Sequence, residues 1–233
     1  MNLLRRYILL LSLTLSALTG NVQARNSDDA DSYKFDIGIG LGMSGYLGDI
    51  NESNMFRHPG FAGQLSFRYM LDDARWAFRG VLTSASLRGN SGDFKNWLPG
   101  ETPLSFSSTI YDLGGRVEFN FLPYGIGETF KKLRRWTPYV GVGLGVCLAS
   151  ANGTYVTGSV PLAFGFKFKP RKRLNLMLEF CVSKTLGDHL DGNLSDLQGI
   201  KSSFLKNTDW HSGLMLSVTY EFGKRCSTCH YVD

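Results

Sequence analysis

The chain ends in Cys226-Ser227-Thr228-Cys229-His230, the attachment spacing of c-type haem. Only three residues follow His230, and no neighbouring segment supplies a pocket or a second axial ligand, so no cofactor is expected. The pair also lacks the helix N-terminus that activates a redox dithiol. A local disulfide, zinc held within an assembly, and a disulfide to a partner protein remain open for Cys226 and Cys229. Cys147 and Cys181 fall on strands separated by another strand, beyond bridging distance, and read as buried thiols.

A hydrolytic site needs a nucleophile, a base and an orienting group together. His211 adjoins Ser212, and His189 lies between Asp188 and Asp191 with Ser195 nearby. No motif joins them, and loop packing is the preferred reading. The run D-H-L-D-G-N-L-S-D lacks the one-three-five acidic spacing of a calcium loop. No catalytic residue, metal site or enzymatic activity is expected.

The remaining charges are informative through their spacing. Arg68, Arg79, Asp112, Arg116, Glu118, Lys167 and Glu179 each occupy the polar phase of a segment whose other phase is apolar. That period-two pattern is a β-strand with two different environments. The stretch 210–222 shows it best: Trp210, Leu214, Leu216, Val218, Tyr220 and Phe222 on one face, His211, Gly213, Met215, Ser217, Thr219 and Glu221 on the other. Seven earlier segments repeat it, at about 33–44, 61–71, 76–83, 111–121, 140–147, 160–169 and 174–183. Polar connections at 88–105 and 187–208 alternate with tight turns such as Asp72-Asp73-Ala74-Arg75 and Pro170-Arg171-Lys172-Arg173. A short loop is expected at 149–155, and a helical turn near 128–133.

Eight strands joined alternately by short and long connections predict an all-β, eight-stranded antiparallel up-and-down transmembrane barrel of OmpA/OmpX-like size. Both termini are then periplasmic, and the protein is integral to the outer membrane of a Gram-negative cell, in contact with its lipids. A soluble barrel would keep its apolar faces inside. Here the charged faces carry many of the 27 glycines, as a narrow lumen requires. Aromatics gather at the inner ends of the apolar faces: Tyr33, Phe35, Tyr69, Trp76, Phe119, Phe121, Trp136, Phe166, Phe168, Tyr220 and Phe222. Phe61, Tyr111 and Trp210 mark the outer side. The lumenal charges read as a structural plug, because eight strands enclose only enough room for side chains.

Residues 1–24 read as a secretory signal: Arg5 and Arg6, an apolar run at 7–18, then Val22-Gln23-Ala24. The division is signal 1–24, barrel 33–223 and a Cys-containing periplasmic tail at 224–233. The formal charge of +5 is too mild and scattered for nucleic acid. Cations do cluster on the inner rim, at Lys131, Lys132, Arg134, Arg135, Lys169, Arg171, Lys172, Arg173, Lys224 and Arg225. Phospholipid phosphates and a periplasmic partner are equally good ligands for them.

Several short motifs carry a resemblance in their order and spacing. They are Ser44-Gly45-Tyr46-Leu47-Gly48-Asp49-Ile50-Asn51, residues 76–80 (W-A-F-R-G), Tyr111-Asp112-Leu113, Thr137-Pro138-Tyr139, Arg173-Leu174-Asn175-Leu176, and Lys184-Thr185 followed by Asp188-His189-Leu190-Asp191. Over about 33–222 the chain resembles the PorG family of outer-membrane barrels. The resemblance implies a place in the type IX secretion system of Bacteroidota, a machinery often linked to gliding. It implies an anchor for a periplasmic ring built of a lipoprotein and its partner, and it brings no catalytic residues. A tail cysteine bonded to such a ring protein would be compatible with this. An OmpA- or OmpX-like structural or adhesive barrel, acting through its outer loops, is the alternative.

Overall fold

In a computed structural model the protein is a closed barrel of eight antiparallel strands. The structure describes residues 33–47, 56–71, 75–90, 105–126, 133–151, 153–186 and 210–224. The strands are β1 (Tyr33–Leu47), β2 (Gly60–Met70), β3 (Trp76–Asn90), β4 (Ser105–Asn120), β5 (Trp136–Ala151), β6 (Gly153–Arg171), β7 (Leu174–Thr185) and β8 (Trp210–Lys224). Each pairs with its sequence neighbours, and β8 closes on β1 from Leu47↔Trp210 to Tyr33↔Lys224. Closure removes both sheet edges, which a lipid environment requires. Among the described residues no helix is long and apolar enough to cross a membrane.

The barrel is inside out. Leu144 is 72% exposed, and Ile39, Phe61, Leu113, Val156 and Leu216 stand equally clear of the wall, while Arg79 and Glu179 are enclosed. An apolar surface on every strand far exceeds the few hundred Å² a soluble monomer shows, and its solvent is lipid.

Strand ends differ from the sequence reading in ways that lengthen the outer half. β1 runs on to Leu47, and Tyr46 turns inward to 1% exposure. β3 continues to Asn90, taking in residues read as loop. The expected loop at 149–155 is a ladder instead, with Ala149↔Tyr155, Ser150↔Thr154 and Ala151↔Gly153 paired. Polar residues such as Ser150 and Thr154 read as loop in sequence, yet Thr has good strand propensity and the ladder satisfies the backbone. β8 extends to Lys224, one residue past the expected barrel end. Gly223 there has φ of 72°, a left-handed conformation that favours glycine. The signal, the helical turn expected near 128–133 in all but its last residue, and the tail beyond Lys224 lie outside the described residues.

Two side chains break the expected facing. Tyr33 was assigned to the lipid-facing girdle, but it is 4% exposed and tucked beneath Arg173. Lys169, assigned to the rim, points into the lumen and ion-pairs with Glu221 at 2.5 Å. The remaining inner aromatics do form a band, tied by ring contacts between Trp76 and Phe119 (4.8 Å) and between Trp136 and Phe166 (5.6 Å).

Candidate functional site

The lumen is filled in layers. At the outer end Tyr46, Ala62, Ala85, Leu87, Ile110, Cys147, Ala149 and Met215 form an apolar cap. Below it lie Asp112 and His211, with Asp112 Oδ2 3.3 Å from His211 Nε2. Ser159 donates to Asp112 Oδ1 at 3.2 Å. Asp112 therefore stands apart from the arginines it was grouped with by sequence.

The charge plug fills the middle and inner lumen. Arg68 donates from Nη1 to Asp36 at 2.5 Å and from Nε to Glu118 at 2.8 Å. Arg79 donates to Glu179 at 2.5 Å and to Glu118 at 3.2 Å. Arg116 reaches Glu179 at 3.0 Å, and Lys167 reaches Glu118 at 2.7 Å and Asn120 at 2.9 Å. Gln64 links the two halves, accepting from Arg79 Nη2 at 3.1 Å and donating to Glu179 at 3.3 Å. Tyr139 donates its hydroxyl to Glu179 and offers its ring face to Lys167, 4.1 Å from the centroid. Glu118 and Glu179 thus each meet several donors, the condition under which burying ion pairs in low dielectric is tolerable.

Gly143 shows why glycines line this lumen. It faces Arg116 in register, and a Cβ there would run into the Gly115 carbonyl and the Arg116 side chain. The plug's arginines take the room that glycines release.

Tyr124, in the described start of the β4–β5 connection, lies at the inner mouth. Tyr124 folds back over it and donates to Asn175 at 2.7 Å, and Asn175 donates to Glu221 and Thr219 at 3.0 Å each. Burial, then the nearby Glu221 carboxylate, raises the Tyr124 phenol above its ordinary value, so it stays a donor. Lys169 Nζ lies 5.2 Å from the Tyr124 ring centroid. Sequence reasoning missed Asp36, Gln64, Tyr124 and Tyr139 as members of this system. Period two placed Asp36 and Gln64 on the inner face, but nothing local showed their partners.

The inner rim presents Arg134, Arg135, Arg171, Lys172 and Arg173, all exposed. The two turns that carry them are neighbours: Lys169 N donates to Arg135 O at 2.7 Å. Arg173 is held in place, donating to Tyr33 at 2.8 Å and to Tyr220 at 3.0 Å. Those phenols, Tyr220 first, raise its already high pKa, so its charge is permanent. Lys224 ends β8 opposite Tyr33. Lys131, Lys132, Arg225, Cys226 and Cys229 lie outside the described residues. Cys147 and Cys181 are buried free thiols. Among the described residues no three His, Cys, Asp or Glu side chains are grouped to hold a metal.

An apolar exterior, a closed ladder and a lumen packed with ion pairs define an integral outer-membrane barrel of the small, plugged kind. Residues 22–231 match DUF6089, described as a domain of unknown function, and the chain belongs to that family. No curated protein matches the chain. Among solved structures, Neisserial surface protein A aligns with a TM-score of 0.51 at 12% identity, covering 81% of this chain and 97% of that one. OprG from Pseudomonas aeruginosa aligns at 0.48 and 12% identity, covering 84% and 100%. Ail, the attachment invasion locus protein of Yersinia pestis, aligns at 0.48 and 14% identity, covering 82% and 99%. At such identities the likeness to the Neisserial protein concerns the fold alone.

Proposed function

We propose that this barrel is a non-enzymatic outer-membrane anchor whose inner rim and tail hold a periplasmic ring of the type IX secretion machinery. The observation that carries the reading is the exposed basic sector of Arg134, Arg135, Arg171, Lys172 and Arg173, on two turns joined by the Lys169 N to Arg135 O bond. The β2–β3 connection carries Asp72 and Asp73 beside Arg75, and β8 ends in Lys224. A dense charge sector on adjacent turns suits a partner with a complementary acidic face. The ordered motifs that resemble the PorG family support this machinery, and the plugged lumen argues for holding over conducting.

The test is co-purification of periplasmic partners from cells expressing the wild type, a rim reversal (Arg134→Glu, Arg135→Glu, Arg171→Glu, Lys172→Glu), and Cys226→Ser with Cys229→Ser. Arg173 is spared because it braces Tyr33 and Tyr220. Loss of ring proteins in the reversal, with the barrel still folded, is the expected result. Retention of the full set in both variants removes the anchor reading. Non-reducing electrophoresis of the same membranes reports whether the tail bonds covalently to a partner.

The second reading is a structural or adhesive barrel. The β5–β6 hairpin favours it, because its ladder continues to Ala151↔Gly153 with Val156 exposed. Shortening residues 88–105 and 187–208 would then abolish surface binding and leave secretion intact.

A further inference from the structure

Between the apolar cap and the charge plug lies a cavity of about 30 Å³, lined by Gln64, Asp112, Arg116, Ser183, His211 and Ser212 among others. Four polar atoms of its lining have no hydrogen-bond partner in the protein: Asp112 Oδ2, Arg116 Nε, His211 Nδ1 and Ser212 Oγ. Their residues are 6%, 8%, 8% and 2% exposed. Asp112 Oδ2 lies 3.3 Å from His211 Nε2, an ion-pair distance without hydrogen-bond geometry. Leaving such atoms dry carries the full desolvation penalty of each group. They cluster here, whereas the plug below satisfies most of its side chains.

The chemistry of the lining selects the occupant. A guest anion would face the Asp112 carboxylate, and a guest cation would face the Arg116 guanidinium. An apolar guest would leave every one of the four atoms unpaired. The lumen's charges also need no counter-ion. Asp36, Asp112, Glu118, Glu179 and Glu221 are matched by Arg68, Arg79, Arg116, Lys167 and Lys169 when His211 is neutral. Asp112 is the one of these carboxylates with no Arg or Lys partner, and His211 is its ion-pair neighbour. Water both donates and accepts, and a buried water needs roughly 10–15 Å³ and two to four polar partners.

We propose that this cavity is a built site for about two water molecules. One accepts from Arg116 Nε, and together they join the Asp112–His211 pair to the plug through Arg116, whose Nη1 already holds Glu179. The plug and the outer pair then form one hydrogen-bonded system with members on all eight strands. The waters are structural parts of the lumen, capped from outside by Tyr46, Leu87 and Ile110.

Two measurements on the full barrel test the site. One is a crystal structure at a resolution that shows waters, with a bromide-soaked crystal beside it. The other is water-edited solid-state NMR of the barrel in bilayers, comparing the His211 ring with Met177, which is buried in the plug. The expected result is density within hydrogen-bond distance of Arg116 Nε and His211 Nδ1, with no bromide signal there. Transfer from water to His211 should also be several-fold faster than to Met177. A cavity without density, or transfer to His211 as slow as to Met177, overturns the proposal. An anomalous bromide peak overturns it in favour of an anion site.

Discussion

Tyr139 on β5 reaches across β6 to hydrogen-bond Glu179 on β7. The two residues share one cross-strand row with Gly165 between them. A Cβ on Gly165 would strike the Tyr139 ring at Cε1 and Cζ. The glycine is thus the seat over which the ring lies, and it lets a strand residue bond to the next strand but one. Three residue types at one height in the barrel specify a single contact.

Tyr139→Phe should destabilise the barrel by about 1–3 kcal/mol, the cost of leaving a buried acceptor short of a donor. Gly165→Ala should act on the same bond by displacing the ring. Its Cβ also meets the Leu178 carbonyl, so urea unfolding in lipid vesicles should show the double variant costing less than the sum of the two singles, by the share that rests on the common bond.

Glu118 accepts from Arg68, Arg79 and Lys167. Glu118→Gln leaves three enclosed cations undercompensated and should cost about 3–5 kcal/mol. Asp112→Asn, whose ion-pair neighbour is His211, should cost less. The order of the two in urea midpoints is the check.

Leu144 stands on the outward face of mid-β5. On a water-facing surface Leu144→Arg would be nearly neutral. Facing the bilayer midplane it should cost about 2–4 kcal/mol. Unfolding from vesicles separates the two surfaces.

The Tyr124 phenol has a pKa raised in the folded state, chiefly by burial. A raised value means the folded state holds the proton more tightly. Its contribution to stability is complete below about pH 10, the ordinary tyrosine value, and is lost as pH rises beyond it. Tyr124→Phe should lack that component. Stability measured across the alkaline range should fall more steeply for the wild type than for the variant.

Which residues face lipid and which face the lumen was legible because period two fixes facing without any tertiary knowledge. It placed Arg79, Glu118 and Glu179 inside with no further information. It did not pair them, since partners across a lumen depend on register and tilt. Asp112 meets His211 because β4 and β8 bring them to one height, which no local spacing announces. Tyr33 and Lys169 were misplaced for a related reason. An aromatic or a lysine at a strand end suits a girdle or a rim by type, but Arg173 covers Tyr33 and Glu221 draws Lys169 inward. Tyr139 was missed because its role needs Gly165 beneath it.

The anchoring role rests on the inner rim. Its most direct test is cargo secretion by cells whose barrel carries Arg134→Glu, Arg135→Glu, Arg171→Glu and Lys172→Glu, with barrel level and folding matched to the wild type. The account predicts that cargo is retained in the periplasm while the variant barrel remains in the outer membrane. Secretion at the wild-type level from that variant would contradict it.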